Sequence, residues 1–255
     1  MQQDTKEKVA HWLTTAEKPI VFTGAGVSTE SGIPDFRSPG GVWSKYKTVY
    51  FDEFLRSADA RREYWRQKSI VHRDLAVARP NIGHQVIADW EARGFIHGVI
   101  TQNIDGLHQI AGNKNVLELH GSARKVSCLD CNTIFDAEPM VLQFRQTNQV
   151  PRCTKCTEGR LKHATISFGQ ELPAQILDTA VDWCEQSRLL LAIGSSLVVS
   201  PAADLPLLTT RHGGQLVIIN RDTTPLDKVA DLVIHETIGE VLSVMDGLLK
   251  KNLST

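Results

Sequence analysis

Two Cys-x-x-Cys pairs are the clearest chemical signal in the sequence. The pairs are Cys128/Cys131 and Cys153/Cys156, with 21 residues between them. Each pair can hold a metal ion from a tight turn, and four thiolates complete the tetrahedral shell that zinc prefers. Such a shell leaves no position for water, so we predict a structural zinc. The alternative is two redox-active dithiols or cysteines without a role. The fifth cysteine, Cys184, lies on an apolar helical stripe and is predicted to be a buried, inert thiol.

A glycine-rich turn is the second signal. The segment Gly24-Ala25-Gly26-Val27-Ser28 follows a short apolar run, and glycines let backbone N–H groups approach a phosphate closely. Thr29 stands where a dinucleotide loop has its third glycine, so a plain strand-to-helix turn is equally open from this segment alone. The continuation, Ser31-Gly32-Ile33-Pro34-Asp35-Phe36-Arg37, is unusual because a proline stands where a long helix is expected.

Polar residues also follow four later apolar runs. They are Gln102, Asn103 and Asp105, then His120-Gly121, then Gly194-Ser195-Ser196, and finally Asn220. Amides and carboxylates suit ribose hydroxyls or a carboxamide, and an imidazole suits general-base work near neutral pH. Singly, Asn103 could cap a helix, His120 could be structural, and the others could be turns. Five polar turns after five predicted strands favour a shared ligand crevice.

The elements that must position these residues alternate along the chain. Short, nearly continuous apolar strands are predicted at residues 19–23, 96–101, 116–119, 189–193, 216–219 and 232–234, with helices at 52–77, 83–92, 174–186, 202–211 and 238–249. Apolar strands that alternate with helices indicate a doubly wound parallel sheet covered on both faces. We therefore predict an α/β fold: a Rossmann-like domain from residues 1–43, 79–122 and 164–255, and a smaller zinc-ribbon and helical domain from residues 44–78 and 123–163.

Composition excludes several classes. The 255 residues are 42% hydrophobic and 22% charged, with a net charge of −1, which gives no basic surface for nucleic acid. No apolar run reaches the roughly 18–20 residues of a membrane span. The first fifteen residues are polar, with Asp4 and Glu7, unlike a signal or transit peptide. We expect a cytoplasmic protein without nucleic-acid or membrane partners; the sequence sets no oligomeric state.

Taken together, these motifs resemble the sirtuins, the NAD-dependent protein deacylases. The resemblance runs from about Pro19 to Leu249. It rests on the extended glycine loop, on Thr101-Gln102-Asn103-Ile104-Asp105, His120-Gly121, both cysteine pairs, Phe168-Gly169, Gly194-Ser195-Ser196 and Asn220.

The resemblance implies a set of site residues. NAD would be bound by Gly24, Ala25, Gly26, Ser28, Asp35, Phe36, Arg37, Gln102, Asn103, Ile104, Asp105, Gly194, Ser195, Ser196, Asn220 and Ile238. Within this set, Phe36 and Arg37 belong to a flexible cofactor loop, and Asn103 and Asp105 line the nicotinamide pocket. The peptide backbone of the substrate would pair with Phe168, Gly169, Val198 and Val199 as a strand between strands.

The implied reaction consumes NAD. The acyl-lysine carbonyl oxygen attacks C1′ of the nicotinamide ribose and expels nicotinamide. His120 then acts as base on a ribose hydroxyl, with Asn103 as a second catalytic residue. Water completes the release of lysine and O-acyl-ADP-ribose from acyl-lysine proteins or peptides.

The chain departs from the family pattern at four places. Gln170 stands where Glu is usual, with Glu171 one residue later, and Ser195 replaces Thr. His163 stands where many members have Pro, just before a strand that we predict at residues 165–168. Members that remove succinyl-type groups carry Tyr-x-x-Arg, whereas here Arg66 follows Tyr64 one residue early, which turns it about 100° around a helix. We therefore expect neutral acyl groups, and residues 62–66 hint at longer chains, unless Tyr64 and Trp65 only pack the small domain.

Two other functions stay open from the sequence. The same crevice could serve a mono-ADP-ribosyltransferase or NAD glycohydrolase, or the chain could be an NAD-sensing or zinc-ribbon module without turnover. Product analysis separates the first from deacylation. The presence of Asn103, Asp105 and His120 argues against the second, because a pure binder has no need of that set.

Overall fold

The computed structural model describes residues 2–35 and 48–252, and its centre is a six-stranded parallel sheet. The strands are β1 Ile20–Thr23, β2 Gly98–Thr101, β3 Val116–Glu118, β7 Leu189–Ile193, β8 Gln215–Ile219 and β9 Leu232–Ile234. Their spatial order is β3-β2-β1-β7-β8-β9. This is the strand order of a doubly wound dinucleotide-binding fold, and it confirms the predicted fold class.

Helices cover both faces of this sheet. One face carries α1 (Gln2–Thr15), α4 (Ile82–Ala92) and α9 (Ile238–Asn252); the other carries α7 (Ala174–Gln186) and α8 (Leu205–Arg211). The central strands β1, β2 and β7 are apolar except for Thr23 and Thr101 at the ends of β1 and β2, and all their residues are buried between the two helical layers. Cys184 is fully buried on α7 among apolar side chains, as predicted, and burial raises the pKa of its thiol to about 12.

A second, antiparallel sheet is inserted between β3 and β7. It contains β4 (Gly121–Cys128), β5 (Ile134–Asp136) and β6 (Leu161–Thr165), in the order β5-β4-β6. Helices α2 (Phe51–Arg56), α3 (Ala58–Val77) and α6 (Ala137–Thr147) accompany this sheet, and α5 (Leu107–Ala111) follows β2 in the large one. The small module has its own apolar core, which includes Phe54, Trp65, Val126 and Phe144.

Three predicted elements are wrong in detail. The single helix predicted at residues 52–77 is two helices, α2 and α3, because the backbone is extended at Ser57 between them. A strand was predicted at residues 165–168, with His163 just before it; the strand is Leu161–Thr165, and His163 lies inside it. Residues 202–211 form a short 3-10 turn at Ala202–Asp204 followed by α8, because Pro206 at the start of α8 lacks the N–H that a continuous helix needs. None of the helices in residues 2–35 and 48–252 has the length and apolar composition needed to cross a bilayer.

The close approach of two turns gives a stability prediction. A Cβ on Gly26 would lie 2.8 Å from both Cα and O of Gly194, and both are backbone atoms. Gly26→Ala should therefore lower the free energy of unfolding by about 1–3 kcal/mol, measured by urea denaturation. The matched control is Gly247→Ala, whose Cβ meets nothing within 4 Å inside α9 and should raise stability by about 0.5–1 kcal/mol. Equal stability of the Gly26 variant and the wild type would contradict the close packing.

Candidate active site

The polar turns identified in the sequence meet at the carboxyl edge of the large sheet. The order of the strands reverses between β1 and β7, and ligands bind at such a switch point in open α/β sheets. A cavity of about 1110 Å³ opens there. The predicted site residues that line it are Ala25, Gly26, Asp35, Gln102, Asn103, Ile104, His120, Phe168, Gly169, Gly194, Ser195, Ser196, Val199, Asn220 and Ile238.

Four other predicted residues, Gly24, Ser28, Asp105 and Val198, do not line the cavity. Ser28 and Asp105 are buried, and the Gly24 N–H donates to the Ile193 carbonyl at the end of β7. The Val198 side chain is 51% exposed. Phe36 and Arg37 lie outside the described residues.

The glycine turn ends β1 and starts a short 3-10 helix, Ala25–Ser31, rather than a long α-helix. The Gly26 N–H donates to the Gly194 carbonyl at 2.8 Å, and Gly194 has a φ of +65°. A Cβ on Gly194 would lie 2.4 Å from the Val27 nitrogen, so only glycine fits. The turns after β1 and β7 therefore form one continuous backbone surface at the switch point.

A hydrogen-bonded chain of side chains lies beneath the turn after β2. The Asn103 amide donates to Ser28 Oγ at 3.1 Å, and the Ser28 hydroxyl donates to Asp105 Oδ2 at 2.7 Å. Asp105 Oδ1 accepts the N–H of Leu107, the first residue of α5, at 2.8 Å. Helix capping by Asn103 was an open alternative. The N-cap of α5 is Gly106, and the Asn103 amide instead bonds to Ser28 beneath the cavity wall.

Two histidines are buried beside this chain. His84 Nε2 lies 3.4 Å from Ser28 Oγ, and His108 Nε2 lies 2.9 Å from Thr23 Oγ1. Burial lowers the pKa of His84 to about 4, although Asp105 opposes the shift, and lowers the pKa of His108 to about 3. Both rings are uncharged at neutral pH, so Asp105 is satisfied by O–H and N–H donors rather than by an imidazolium.

His120 follows β3 and is held in one orientation. Its Nδ1 lies 2.9 Å from the Gln102 carbonyl, and because a carbonyl only accepts, Nδ1 carries the proton of the neutral ring. Its Nε2 therefore holds a lone pair. Burial lowers the pKa of the imidazole, although the bond to Gln102 opposes the shift. A neutral, oriented imidazole that lines a cavity can act as a general base.

The turns after β7 and β8 complete the edge. Ser195 Oγ donates to Gln102 Oε1 at 2.8 Å, which links the turn after β7 to the turn after β2. Asn220 Nδ2 donates to the Asp222 carbonyl at 2.7 Å and fixes its own turn. Ile238, at the start of α9, gives the cavity an apolar wall.

The small module supplies the opposite wall through α3. Tyr64, Gln67 and Lys68 line the cavity, whereas the side chain of Arg66 is 53% exposed and pairs with Glu63 at 2.7 Å. The expectation that Arg66 points away from the Tyr64 face is confirmed. Sequence reasoning missed Lys68, although its i+4 spacing from Tyr64 puts both residues on one helical face.

The two aromatic residues of this helix differ in their surroundings. Trp65 is fully buried, and its Nε1 donates to the Leu161 carbonyl at 3.0 Å. Trp65 therefore packs the small module, which was the alternative to a role in binding the acyl chain. Tyr64 is also buried, but its hydroxyl lies 3.5 Å from Thr165 Oγ1 at the cavity.

The segment after β6 borders the cavity on the side of the predicted peptide. Phe168 is 44% exposed, and Gly169 has a φ of +83°. Gln170 closes this turn: its Oε1 accepts the Ser167 N–H at 3.3 Å. Glu171, one residue later, lines the cavity, so a carboxylate is kept at this edge despite the departure at residue 170.

The four paired cysteines converge in the small module. Their Sγ atoms all lie within 4.8 Å of one another, with 3.6 Å between Cys128 and Cys156 and 3.7 Å between Cys131 and Cys153. Sulfur atoms about 3.8 Å apart are what a tetrahedral shell with Zn–S bonds of about 2.3 Å requires. Gly159 leaves room for this shell, since a Cβ there would lie 2.3 Å from Cys128 Sγ. The donor set fits one structural zinc ion, as predicted.

Comparison with known proteins agrees with this geometry. The model of the Sir2 family matches residues 24–201. The chain is 44% identical over 243 residues to an NAD-dependent protein deacetylase of Rhodopseudomonas palustris, which covers 94% of this chain and 96% of that protein.

Solved structures of Sir2 proteins are also similar to this chain along nearly its whole length. A Sir2 complex with a p53 peptide and NAD+ superposes with a TM-score of 0.86 at 34% identity, over 97% of this chain and 98% of that one. A Sir2 variant with deacetylated p53 peptide and 3′-O-acetyl-ADP-ribose superposes with a TM-score of 0.85 at 36% identity, over 94% and 96%. With a matching family model, a close relative along nearly its whole length and the strand-end site in place, the chain belongs to the Sir2 family.

Proposed function

We propose that this protein removes acyl groups from protein lysine side chains and consumes NAD, yielding nicotinamide and O-acyl-ADP-ribose. The observation that carries the proposal is the contact between His120 Nδ1 and the Gln102 carbonyl. It places the proton of the neutral ring on Nδ1 and leaves Nε2 as a base on a residue that lines the cavity. The relative from Rhodopseudomonas palustris is a deacetylase, and the Sir2 structures hold peptide, NAD+ or acetylated ADP-ribose.

The residues suit a dinucleotide. The glycine turn offers backbone without Cβ atoms for a pyrophosphate, and the cavity is large enough for NAD with an acyl-lysine side chain. We assign cofactor binding to the residues predicted for it, including Phe36 and Arg37, and the substrate backbone to Phe168, Gly169, Val198 and Val199. We assign residues 1–43, 79–122 and 164–255 to the NAD-binding domain, and residues 44–78 and 123–163 to the small helical and zinc-binding domain. We expect the protein in the cytoplasm.

NAD supplies a departing nicotinamide and a ribose that accepts the acyl group. Asn103, held by Ser28, would orient the groups at the nicotinamide end. His120 Nε2 would take the proton of the ribose hydroxyl while the oxygen of that hydroxyl attacks the acyl carbon. The Gln102 carbonyl holds the Nδ1 proton throughout, so the ring keeps its orientation as it becomes charged.

Product analysis tests this function. Purified protein is mixed with an acetyl-lysine peptide and NAD, and the products are identified by mass spectrometry. Nicotinamide and O-acetyl-ADP-ribose, formed only when the peptide is acetylated, are expected. ADP-ribose released without peptide would instead indicate an NAD glycohydrolase, and ADP-ribose attached to protein would indicate a transferase.

The protonation of His120 gives a pH prediction. The neutral ring is the active form, and burial holds its pKa below 6.5, the ordinary value. As the pH falls through this pKa the base is lost, so kcat/KM should rise with pH and level off, with its acidic inflection below 6.5. The measurement is kcat/KM for an acetyl-lysine peptide from pH 5 to pH 8. An inflection above 6.5 would contradict a neutral, buried base.

A further inference from the structure

Four basic side chains gather where the small module meets the cavity. Lys68 lines the cavity, half-buried on α3, and His72 follows it one turn later. Lys162 and His163 lie behind it on β6, and each is 1% exposed. Three of them surround the Tyr64 ring: Lys68 Nζ lies 5.5 Å from its centroid, Lys162 Nζ lies 5.6 Å from it, and the centroid of the His163 ring lies 6.1 Å away.

Little negative charge offsets this cluster within the part of the chain that the structure describes. Lys162 Nζ donates to the backbone carbonyls of Thr165 and His163, and both ring nitrogens of His163 lack a hydrogen-bond partner there. His72 is the exception, since its Nε2 pairs with Glu138. Lys68 Nζ lies 5.5 Å from the centroid of the Tyr64 ring and forms no ion pair with a described carboxylate. Residues 36–47 contain no Asp or Glu.

These cations are poorly solvated. Burial lowers the pKa of Lys68 to about 8, and burial together with the charge of Lys68 lowers the pKa of Lys162 to about 7. A desolvated ammonium group without a counter-ion is unfavourable, and an anion placed in the cavity would remove that cost.

The cluster lies beside the base of the reaction. Gly121, the residue after His120, pairs with Thr165 of β6, and the Ile166 N–H donates to the His120 carbonyl at 2.9 Å. Tyr64 contacts Thr165, and Lys68 is one helical turn beyond Tyr64. His120, Tyr64 and Lys68 line the same cavity, so an acyl chain whose carbonyl lies next to His120 shares that cavity with the Lys68 ammonium group.

We propose that Lys68 binds a carboxylate at the end of the substrate's acyl chain, so that the preferred substrates are lysines carrying short dicarboxylic acyl groups. Lys162, behind Lys68, adds to the positive potential. This proposal rests on the proposed deacylase function, and it replaces the expectation of neutral acyl groups, which considered Arg66 but not Lys68.

Matched peptides test the proposal. Succinyl-lysine and glutaryl-lysine peptides are compared with the same peptides in which the terminal carboxylate is a carboxamide, which has the same number of heavy atoms. With NAD, wild-type kcat/KM should be about tenfold or more higher for each carboxylate than for its carboxamide. Lys68→Met should reduce this ratio to about one, whereas Lys68→Arg should keep a preference for the carboxylate. Lys114→Met, at an exposed lysine away from the cavity, should leave the ratio unchanged.

Several outcomes would overturn the proposal. A wild-type ratio near or below one, or an unchanged ratio in Lys68→Met, rules out Lys68 as a carboxylate receptor and favours a neutral acyl chain lying along its aliphatic stem. Should Lys68→Met fail to fold, as judged by near-ultraviolet circular dichroism, Lys68→Gln takes its place. If no acyl peptide, including acetyl-lysine, is turned over, the proposed function fails; fluorescence anisotropy of the labelled peptides then still measures whether Lys68 selects the carboxylate on binding.

Discussion

Replacing His120 by alanine should lower kcat for deacylation by about 10²–10⁴-fold, the usual contribution of a positioned general base. The physical reason is the position of the ring proton. Nδ1 carries it and donates it to the Gln102 carbonyl, so Nε2 keeps a lone pair that can accept a proton, and burial lowers the pKa of the ring and favours its neutral form. The measurement is the rate of O-acetyl-ADP-ribose formation from an acetyl-lysine peptide and NAD at pH 8.

The control for this variant is His212→Ala. The Nδ1 of His212 also contacts a backbone carbonyl, that of Leu208 at 2.8 Å, but this histidine is exposed and away from the cavity. It should retain wild-type turnover. His120→Ala should keep the wild-type zinc content and far-ultraviolet circular dichroism, because the module core and the cysteine cluster do not involve it. Turnover near the wild-type rate in His120→Ala would remove this histidine from the mechanism.

Removing one zinc ligand should unfold the small module and abolish activity. Structural zinc contributes about 10–16 kcal/mol of apparent binding free energy in zinc-finger peptides, which is as large as the whole stability of a typical domain. Cys153 and Cys128 are buried in the same core as Tyr64 and Trp65, so loss of the metal loosens the wall that faces His120. In Cys153→Ser, we expect less than one zinc per chain and fast amide exchange in β4 and β6.

The same experiment separates a structural zinc from a catalytic one. Amide protection in β1, β7 and β8 should persist in Cys153→Ser, because these strands belong to the cores on the faces of the large sheet. Cys184→Ala, which removes the thiol outside the cluster, should keep one zinc per chain. If Cys153→Ser loses its zinc but keeps β4 and β6 protected, the metal does not stabilise the module as we expect.

Local sequence patterns were sufficient for much of the fold. The strands β7 and β9 and helix α7 have the bounds that were predicted, because a fully buried strand must be apolar along its length and an amphipathic helix must repeat its apolar residues. The misplaced strand lies where the local pattern of polar and apolar residues is compatible with either a loop or a buried strand. Residues 161–168 contain Lys162 and His163, which read as polar, yet both are buried in β6 by contacts with distant α3.

For the site as well, the sequence indicated some features and not others. Glycine spacing, the cysteine pairs and the polar residues after each strand were visible in the sequence, because a tight backbone approach, a metal shell and a strand-end ligand each demand particular residue types at short spacing. The partner of each side chain was not. Asn103 bonds to Ser28, which lies 75 positions earlier in the chain, and no residue near Asn103 in the sequence indicates that bond.

By itself, the sequence determined the class of fold, the four cysteines that fit a zinc ion and the strand ends that line the cavity, since these follow from local residue types and spacing. Only the tertiary structure decided the protonated nitrogen of His120, the placement of Lys68 at the cavity and the burial of Lys162 in β6. The reason is that charge, burial and hydrogen-bond partners are set by neighbours in space, and α3 meets β6 across about 100 residues of chain.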